Sequence, residues 1–182
     1  MITIRSGLYK NKRLVTSPDG VRPTSDKIRQ AIFNILAHAA FAPPLAGAAL
    51  LDAFAGTGAM GLEALSRGAA QAWFMENNSA VRNILAQNLS WAGDGAVIVA
   101  ADAAAPPLAP QEMDFVFLDP PYGKGLLPLA VAALHRADWI GGKTLLVIES
   151  DAEETFTLPE NFEALDARKY GRTFIRFAKL RG

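Results

Sequence analysis

A glycine-rich segment between a predicted strand and a predicted helix constrains this chain more than any other feature. Residues 50–61 read LLDAFAGTGAMG, so Gly56, Gly58 and Gly61 have GxGxxG spacing directly after an apolar run. Glycines at these positions allow a tight turn, close approach to a ligand and packing of the helix on the sheet. The spacing alone is a weak signal, but its strand-to-helix context predicts a site for a nucleotide-like cofactor.

Short apolar runs alternate with helical patterns along most of the chain. Strands are predicted at 49–52, 72–76, 96–100, 114–118 and 144–149, and helices at 59–67, 79–92 and 126–137. This alternation favours a parallel sheet with helices on both faces. Two further runs, 162–169 and 173–180, flank a Tyr170-Gly171 turn and predict an antiparallel hairpin. The predicted fold class is therefore α/β and Rossmann-like, with a seven-stranded, mostly parallel sheet that ends in a C-terminal antiparallel hairpin.

The N-terminal residues predict a small extension ahead of this sheet. Ile2, Ile4, Leu8 and Leu14 alternate with polar residues up to a turn at 17–20, which indicates a short β-hairpin. A helix is predicted to begin after Thr24 as its capping residue and to end before Pro43-Pro44. The chain thus divides into a hairpin extension at 1–23 and one main domain at 24–182.

Composition excludes several classes of protein. The chain of 182 residues contains no cysteine, which rules out disulfide scaffolds, cysteine-ligated zinc and thiolate or iron–sulfur chemistry. Its two histidines, His38 and His135, are far apart in the sequence, so no metal site is predicted. The apolar runs are too short to span a membrane and the N-terminus has no signal pattern, so we expect a cytoplasmic protein.

Charge is distributed unevenly, although the net charge is zero. Residues 1–30 carry seven Lys/Arg against two Asp, and residues 168–182 carry six Lys/Arg and no carboxylate. The centre of the chain holds the balancing negative charge. This asymmetry predicts a basic surface formed by both termini that attracts nucleic-acid phosphates. A solvated face without a partner is the alternative.

Three carboxylates lie at the ends of predicted strands or just after them, and they discriminate only partly between two candidate cofactors. Glu76 can accept hydrogen bonds from both ribose hydroxyls of a dinucleotide or of S-adenosylmethionine, and Asp102 is placed to accept one from an adenine amine. Asp52 precedes the glycines, where a carboxylate repels a pyrophosphate but attracts the positive methionine end of S-adenosylmethionine. Capping of its own turn is the alternative role for Asp52.

A second motif, Asp119-Pro120-Pro121-Tyr122, directly follows the apolar strand at 114–118. An exocyclic amine on a base has its lone pair delocalised into the ring, and acceptors for its two hydrogens make the nitrogen a better nucleophile. The Asp119 carboxylate and the Pro120 carbonyl can supply these acceptors on a rigid backbone. The Tyr122 ring can stack on a base turned out of its helix. The motif therefore predicts methyl transfer to such an amine, and a plain turn that ends a strand is the alternative.

These motifs resemble those of the RsmD-type family of class I methyltransferases, which modify guanine N2 in 16S ribosomal RNA. The resemblance rests on residues 22–29 with Phe33-Asn34, on residues 52–69 and on Asp119–Tyr122, and it runs along nearly the whole chain. It implies a bacterial S-adenosylmethionine-dependent enzyme that acts on partly assembled small subunits. It also implies that the N-terminal hairpin helps to dock the RNA, with Arg22 and Thr24 beside the active site.

The motifs and the resemblance together predict three sets of site residues. The catalytic set is Asp119, Pro120, Pro121 and Tyr122. The cofactor-binding set is Asp52, Phe54, Ala55, Gly56, Thr57, Gly58, Gly61, Glu76, Asn77, Asp102, Ala103 and Asp119. The RNA-binding set is Arg5, Lys10, Lys12, Arg13, Arg22, Thr24 and Tyr122. We further expect a monomer that uses no metal.

Other functions share parts of this pattern. Adenine-N6 methyltransferases of DNA or RNA and protein glutamine-N5 methyltransferases present a similar planar nitrogen to a similar motif, although the glutamine enzymes usually carry asparagine at the position of Asp119. A nicotinamide dehydrogenase would use the glycines and Glu76 but would leave Asp119–Tyr122 unexplained. A non-catalytic RNA-binding module that retains the fold would bind RNA without transferring methyl groups.

Overall fold

A computed structural model describes residues 2–16, 25–121, 123, 125–154 and 156–182. In chain order the elements are β1 (Ile2–Thr3), β2 (Arg13–Leu14), α1 (Asp26–His38), β3 (Ala49–Asp52), α2 (Ala59–Ser66), β4 (Gln71–Met75), α3 (Ser79–Leu89), β5 (Ala96–Val99), β6 (Phe115–Leu118), α4 (Leu126–Arg136), β7 (Leu145–Asp151), β8 (Phe162–Tyr170) and β9 (Thr173–Leu180). No helix within these ranges is long and apolar enough to cross a membrane.

The main sheet has seven strands in the order β5-β4-β3-β6-β7-β9-β8. The first five are parallel, whereas β9 is antiparallel to both β7 and β8. This confirms the predicted α/β fold and its C-terminal hairpin. Strand order reverses at β3, because β4 lies on one side of it and β6 on the other. In an open α/β sheet a ligand binds at the carboxyl ends of the strands beside such a reversal.

Each face of the sheet has its own hydrophobic core. On one face, side chains of α1, α2 and α3 such as Phe33, Leu62 and Leu85 pack on the sheet. On the other face, Val131 and Leu134 of α4 pack against strand residues. Every residue of β3, β6 and β7 is buried, which explains the apolar runs 49–51, 115–118 and 145–148 in the sequence.

Most predicted elements agree with the structure to within three residues at each end, but one detail of the N-terminal region was wrong. The helix α1 is capped by Ser25, whose Oγ accepts a hydrogen bond of 3.3 Å from the Ile28 amide, rather than by Thr24. The side chain of Leu8, one of the alternating apolar residues, is 81% exposed. The predicted turn at 17–20 lies outside the described residues.

The N-terminal hairpin, β1 with β2 and the connection between them, packs against the helices of the main domain. The backbone amides of Leu8 and Tyr9 donate to the Ser66 carbonyl at 2.7 Å and to the Ser66 Oγ at 2.8 Å. The Tyr9 hydroxyl donates to the carbonyl of Ala92, and its ring lies edge-on against Trp91. Hydrogen bonds from two different helical regions thus fix the position of the hairpin.

A buried ionic network reinforces this attachment. The Glu63 side chain is fully buried and accepts hydrogen bonds from the Arg5 amide at 2.8 Å and from the Arg67 Nε at 2.8 Å. The Arg29 side chain, also fully buried, lies 3.6 Å from Glu63 and donates to the Thr3 carbonyl at 2.6 Å. Pairing with Glu63 and Asp26 offsets part of the cost of burying the Arg29 charge. Within the described residues, however, its buried Nε and Nη1 have no hydrogen-bond partner.

The buried side chain of Asn88 joins the hairpin to the glycine-rich loop. Its Nδ2 donates to the carbonyls of Val15 and Thr57, both at 3.0 Å, and its Oδ1 accepts from the Val15 amide at 2.8 Å. An asparagine side chain can satisfy two carbonyls and one amide at the same time, which no apolar side chain can do. Asn88 therefore links residues near the predicted RNA-docking hairpin with a residue of the predicted cofactor loop.

We expect Asn88→Ala to lower the free energy of unfolding by about 1–3 kcal/mol, because it leaves three partly buried backbone groups without their partner. The matched control is Asn83→Ala, on an exposed position of the same helix, which should change that free energy by less than about 0.5 kcal/mol. Urea unfolding of both variants measures the difference. Equal stabilities of the two variants would contradict the proposed link.

Candidate functional site

The glycine-rich loop between β3 and α2 has the geometry that its sequence predicts. Gly58 has a φ of 81°, and a Cβ atom there would lie 2.7 Å from the Leu85 side chain. A Cβ atom on Gly61 would lie 2.4 Å from the ring of Phe74, so only glycine lets α2 pack this closely on β4. The first of these glycines permits the turn, and the second permits close packing of helix on sheet.

The Asp52 carboxylate ends β3 inside this loop. Its Oδ2 accepts a hydrogen bond of 3.0 Å from the amide of Gly61, so it holds the first turn of α2 in place. Burial raises the pKa of Asp52 to about 7; the Gly61 hydrogen bond opposes this rise, and the charges of Asp119 and Glu76 add to it. Three carboxylates therefore interact at the carboxyl edge of the sheet and make this edge strongly negative.

Glu76 follows β4 and connects two loops. Its Oε2 accepts from the Gly56 amide at 3.1 Å, and its Oε1 accepts from the Asn78 amide at 2.8 Å. Arg82 donates to the backbone carbonyls of Glu76 and Asn77, which fixes this loop from the side of α3. Because each carboxylate oxygen can accept two hydrogen bonds, Glu76 retains the capacity to accept from a pair of ribose hydroxyls.

Asp102 lies beyond the end of β5 in a tight turn. Its Oδ1 accepts from the Ala104 amide at 2.8 Å, and its Oδ2 accepts from the Asn77 side chain at 3.2 Å. Asn77 and Asp102 thus connect the loops after β4 and β5, which are neighbouring strands. This arrangement holds a carboxylate acceptor at the carboxyl edge of the sheet, beside the loop after β4.

A groove at this edge brings together much of the predicted cofactor-binding set. It is lined by Ala53, Phe54, Met75, Glu76, Asn77, Ala101, Asp102 and Ala103. The other members lie beside the groove rather than in its lining: Ala55, Gly56, Thr57 and Gly58 are in the adjoining loop, between Asp52 at the end of β3 and Gly61 in α2. Sequence reasoning missed the small and apolar members Ala53, Met75 and Ala101, together with the supporting side chain Arg82. Nothing in the sequence singles these four out, except that each is within six residues of a motif carboxylate.

The catalytic motif begins directly after β6, beside the loop that contains Asp52. Asp52 is in register with Phe117, two residues before Asp119, and the Ala53 amide donates to the Phe117 carbonyl at 3.0 Å. Asp119 is half-buried, Pro120 is buried and Pro121 is exposed. Tyr122 lies outside the described residues. The described part of the motif is therefore held against β3 at the strand reversal.

The predicted RNA-binding residues are not equivalent to one another. Arg5 is held in an ion pair with Asp26, while Lys10, Lys12 and Arg13 are exposed. The ammonium of Lys12 lies 5.4 Å from the centroid of the Trp91 ring, so this surface combines cations with an aromatic side chain. Arg22 and Thr24 lie outside the described residues.

A cavity of about 410 Å³ lies elsewhere in the described structure. It lies between the ends of α1 and α2, and it contains none of the predicted site residues. The described residues also contain no group of three side chains able to hold a metal ion. The candidate active site is therefore the carboxyl edge of the sheet, where the glycine-rich loop after Asp52 lies beside the motif after β6.

The residues at this edge fit S-adenosylmethionine better than a dinucleotide. The charges of Asp52, Glu76 and Asp119 favour the cationic methionine end of that cofactor, whereas they would repel a pyrophosphate. Glu76 and Asp102 carry carboxylate oxygens, which are acceptors of the kind that ribose hydroxyls and an adenine amine require. The fold and the site thus define a class I methyltransferase that uses S-adenosylmethionine as its methyl donor.

Comparison with known proteins narrows this class to one family. A family model described as Conserved hypothetical protein 95 matches residues 2–179. Ribosomal RNA small subunit methyltransferase D of Escherichia coli is 38% identical over 96% of this chain and 88% of its own length. The Haemophilus influenzae protein of the same name is 31% identical over 93% of this chain and 89% of its own length. The chain belongs to this family of methyltransferases.

Solved structures agree with this assignment. The Escherichia coli protein yhhF superposes with a TM-score of 0.84 at 32% identity, over 98% of this chain and 97% of that one. The rRNA methyltransferase aviRa of Streptomyces viridochromogenes has the same fold, with a TM-score of 0.71 over 90% of this chain and 88% of its own, at 16% identity. Both comparisons confirm the class I methyltransferase fold.

Proposed function

We propose that this enzyme transfers a methyl group from S-adenosylmethionine to the exocyclic N2 amine of a guanine in 16S ribosomal RNA. The observation that carries the proposal is the position of Asp119-Pro120 at the strand reversal, beside Asp52 and the glycine-rich loop. Methyltransferase D relatives named for the small-subunit ribosomal RNA support the choice of substrate. The bound cofactor supplies an electrophilic methyl group on a sulfonium.

In the proposed mechanism this chain positions the amine and polarises it. The Asp119 carboxylate and the Pro120 carbonyl accept hydrogen bonds from the two N2 hydrogens, which localises the nitrogen lone pair toward the methyl group. Pro120 is buried and has no amide hydrogen, so its carbonyl is held rigidly and no competing donor is present there. Catalysis then derives mainly from orientation and electrostatics. Stacking of Tyr122 on the base remains part of the proposal.

The N-terminal hairpin, at 1–23, is the proposed RNA-docking extension of the methyltransferase domain at 24–182. Its exposed Lys10, Lys12 and Arg13 support this role, because they present positive charge next to Trp91. A docking element must keep a fixed orientation relative to the catalytic motif, and the hydrogen bonds to Ser66 and Asn88 provide that. We further propose that the enzyme acts as a monomer, in the bacterial cytoplasm, on a small-subunit assembly particle.

Transfer of labelled methyl from S-adenosylmethionine tests the proposal directly. The substrates are small ribosomal subunits that lack the modification, naked 16S RNA, DNA and a protein mixture. We expect label in the small-subunit RNA that nuclease digestion and chromatography identify as N2-methylguanine. Asp94→Ala, a substitution of an exposed residue, is prepared in the same way as a control and should retain full activity.

Each other outcome identifies a different function. Label in DNA or RNA as N6-methyladenine, or in protein as a glutamine amide, would replace the guanine proposal by one of those activities. RNA binding without any transfer would indicate a binding module that retains the fold.

A further inference from the structure

Arg176 lies at the same edge of the sheet as the catalytic motif, yet no motif in the sequence singles it out. It lies on β9 opposite Ile148 of β7, and Ile148 is in turn opposite Leu118 of β6, the residue before Asp119. When the register of β6 and β7 is continued by two residues, Ser150 lies beside Pro120. The backbone of Arg176 is thus two strands away from the catalytic motif.

The Arg176 guanidinium is held in a fixed plane. Its Nη1 donates to the Oγ of the buried Ser150 at 2.7 Å. Its central carbon lies 4.3 Å from the centroid of the Phe174 ring and 5.9 Å from that of Phe156. Partial burial lowers the pKa of Arg176, although the group stays charged. Aromatic contacts and a buried hydrogen bond together give this side chain the order expected of a binding residue.

Arg176 also differs in its charge balance from three other cations of the same hairpin. On the same hairpin Arg168, Arg172 and Lys179 each form an ion pair, with Asp166 at 2.9 Å, Asp151 at 3.2 Å and Glu163 at 3.4 Å. Among the described residues no carboxylate oxygen lies within 4.0 Å of Arg176. Glu154 attracts it from farther away, and one buried oxygen of Glu154 has no hydrogen-bond partner in the described structure. This corner of the site therefore has unused hydrogen-bonding capacity.

The reacting groups alone do not explain a preference for guanine. Two acceptors at Asp119 and Pro120 suit the exocyclic amine of adenine as well as that of guanine. When adenine is the acceptor, its reacting amine is itself the group at position 6, whereas guanine that reacts at N2 still presents O6 as an acceptor away from the reacting nitrogen. A residue that selects guanine must therefore donate a hydrogen bond to O6, and it must lie across the width of the base from Pro120.

We propose that Arg176 donates to the O6 and N7 acceptors of the target guanine and so determines the base specificity of the enzyme. Extension of the β6–β7 register places the backbone of Ser150 one strand spacing, about 4.8 Å, from that of Pro120. The Nη1 atom of Arg176 lies 2.7 Å from the Ser150 Oγ, on the side of β9. A bidentate contact of arginine with these two atoms is the commonest specific contact with guanine. The inference rests on the proposed function, because it assumes that guanine N2 is the acceptor.

The test compares guanine with 2-aminopurine at the methylated position, in small subunits reassembled with 16S RNA that carries either base. 2-Aminopurine keeps the reacting amine and N7 but has no O6. We expect the wild-type enzyme to prefer guanine in kcat/KM and Arg176→Gln to reduce that preference by about 10- to 100-fold. The matched control is Arg168→Gln, an equal charge change on a fully exposed, ion-paired residue of the same hairpin, which should keep the preference.

Ser150→Ala provides a second variant that leaves Arg176 in place. It removes the hydrogen bond that orients the guanidinium, so it should reduce the preference for guanine by a smaller factor than Arg176→Gln does. Because Ser150→Ala replaces one small side chain with another, this variant keeps the inference testable even if Arg176→Gln fails to fold.

Two results would overturn the inference. In the first, Arg176→Gln and Ser150→Ala keep the wild-type preference for guanine. In the second, Arg176→Gln weakens binding of all RNAs equally and lowers the salt slope of log K by about 0.7, which would make Arg176 a phosphate contact. N2-methylguanine formed by the wild-type enzyme establishes the proposed function in either case. Its absence would overturn the proposed function and, with it, the role of Arg176.

Discussion

Asp119→Ala is expected to lower kcat for methyl transfer by about 10²- to 10³-fold, because it removes one of two acceptors that polarise the reacting amine. Binding of S-adenosylmethionine should weaken by less than about tenfold, since Asp52 and Glu76 still supply negative charge at the site. Single-turnover kinetics and calorimetric binding separate the two effects. The kcat of Asp119→Asn should lie between those of Asp119→Ala and the wild type. Its side-chain amide keeps one acceptor oxygen but presents an NH₂ donor to the reacting amine in place of the other.

A second readout separates this role from a merely structural one. The charge of Asp119 helps to raise the pKa of Asp52, so Asp119→Ala should shift the titration of Asp52 to lower pH. A folded Asp119→Ala enzyme that transfers methyl at the wild-type rate would exclude the proposed mechanism. An unshifted Asp52 titration would show that the two carboxylates do not interact.

The fold could be predicted from the sequence because its strands are buried on both faces. Apolar runs such as 115–118 stand out from the helical patterns around them, and the glycine spacing locates the first turn. The choice of Thr24 over Ser25 as the cap of α1 was wrong because both residue types cap helices well. Only the backbone angles at the helix start distinguish two such neighbours.

The candidate site could be predicted only where its residues follow strands in sequence. Glu76, Asp102 and Asp119 each follow a strand, so their convergence at one edge could be expected from a parallel sheet. Arg176 could not be predicted, because it comes near Asp119 only through the insertion of β9 between β7 and β8. Strand order of this kind depends on long-range pairing that no local pattern in the sequence reports.

Counts of charged residues were also an incomplete guide to the RNA-binding surface. Arg29 contributes to the basic N-terminus in the sequence, yet its side chain is fully buried between the hairpin and Glu63. Arg5 is held in an ion pair with Asp26. Basic residues of the hairpin such as Lys10 and Lys12 are exposed and remain candidates for phosphate contacts. Burial and pairing, which a sequence does not show, therefore divide the cations into structural and available groups.

Asp52→Asn is expected to stabilise the fold at neutral and higher pH while it weakens cofactor binding. The folded state raises the pKa of Asp52 from 3.8 to about 7, so between these values the folded chain binds its proton more tightly than the unfolded chain does. The contribution of Asp52 to stability is therefore full below pH 4 and is lost as the pH rises to about 7. The total loss is about 4 kcal/mol.

An asparagine at position 52 keeps an oxygen that can accept from the Gly61 amide and never becomes charged. The difference in unfolding free energy between Asp52→Asn and wild type should be small at pH 4 and should grow to its full value by pH 8. Urea unfolding at several pH values measures it. A constant difference across this range would show that Asp52 does not titrate with a raised pKa.

Ionised Asp52 destabilises the fold, but we expect the same negative charge to favour binding of the cofactor. The positive charges of S-adenosylmethionine favour ionised Asp52, so binding should release a proton near pH 7, and wild-type affinity should increase with pH through this range. At pH 8 Asp52→Asn should bind about 10- to 100-fold more weakly, which corresponds to the loss of one close charge interaction of roughly 1–3 kcal/mol. Calorimetry in two buffers of different ionisation enthalpy measures the released proton. Equal proton release by wild type and Asp52→Asn would assign the titration to another group and remove Asp52 from the cofactor site.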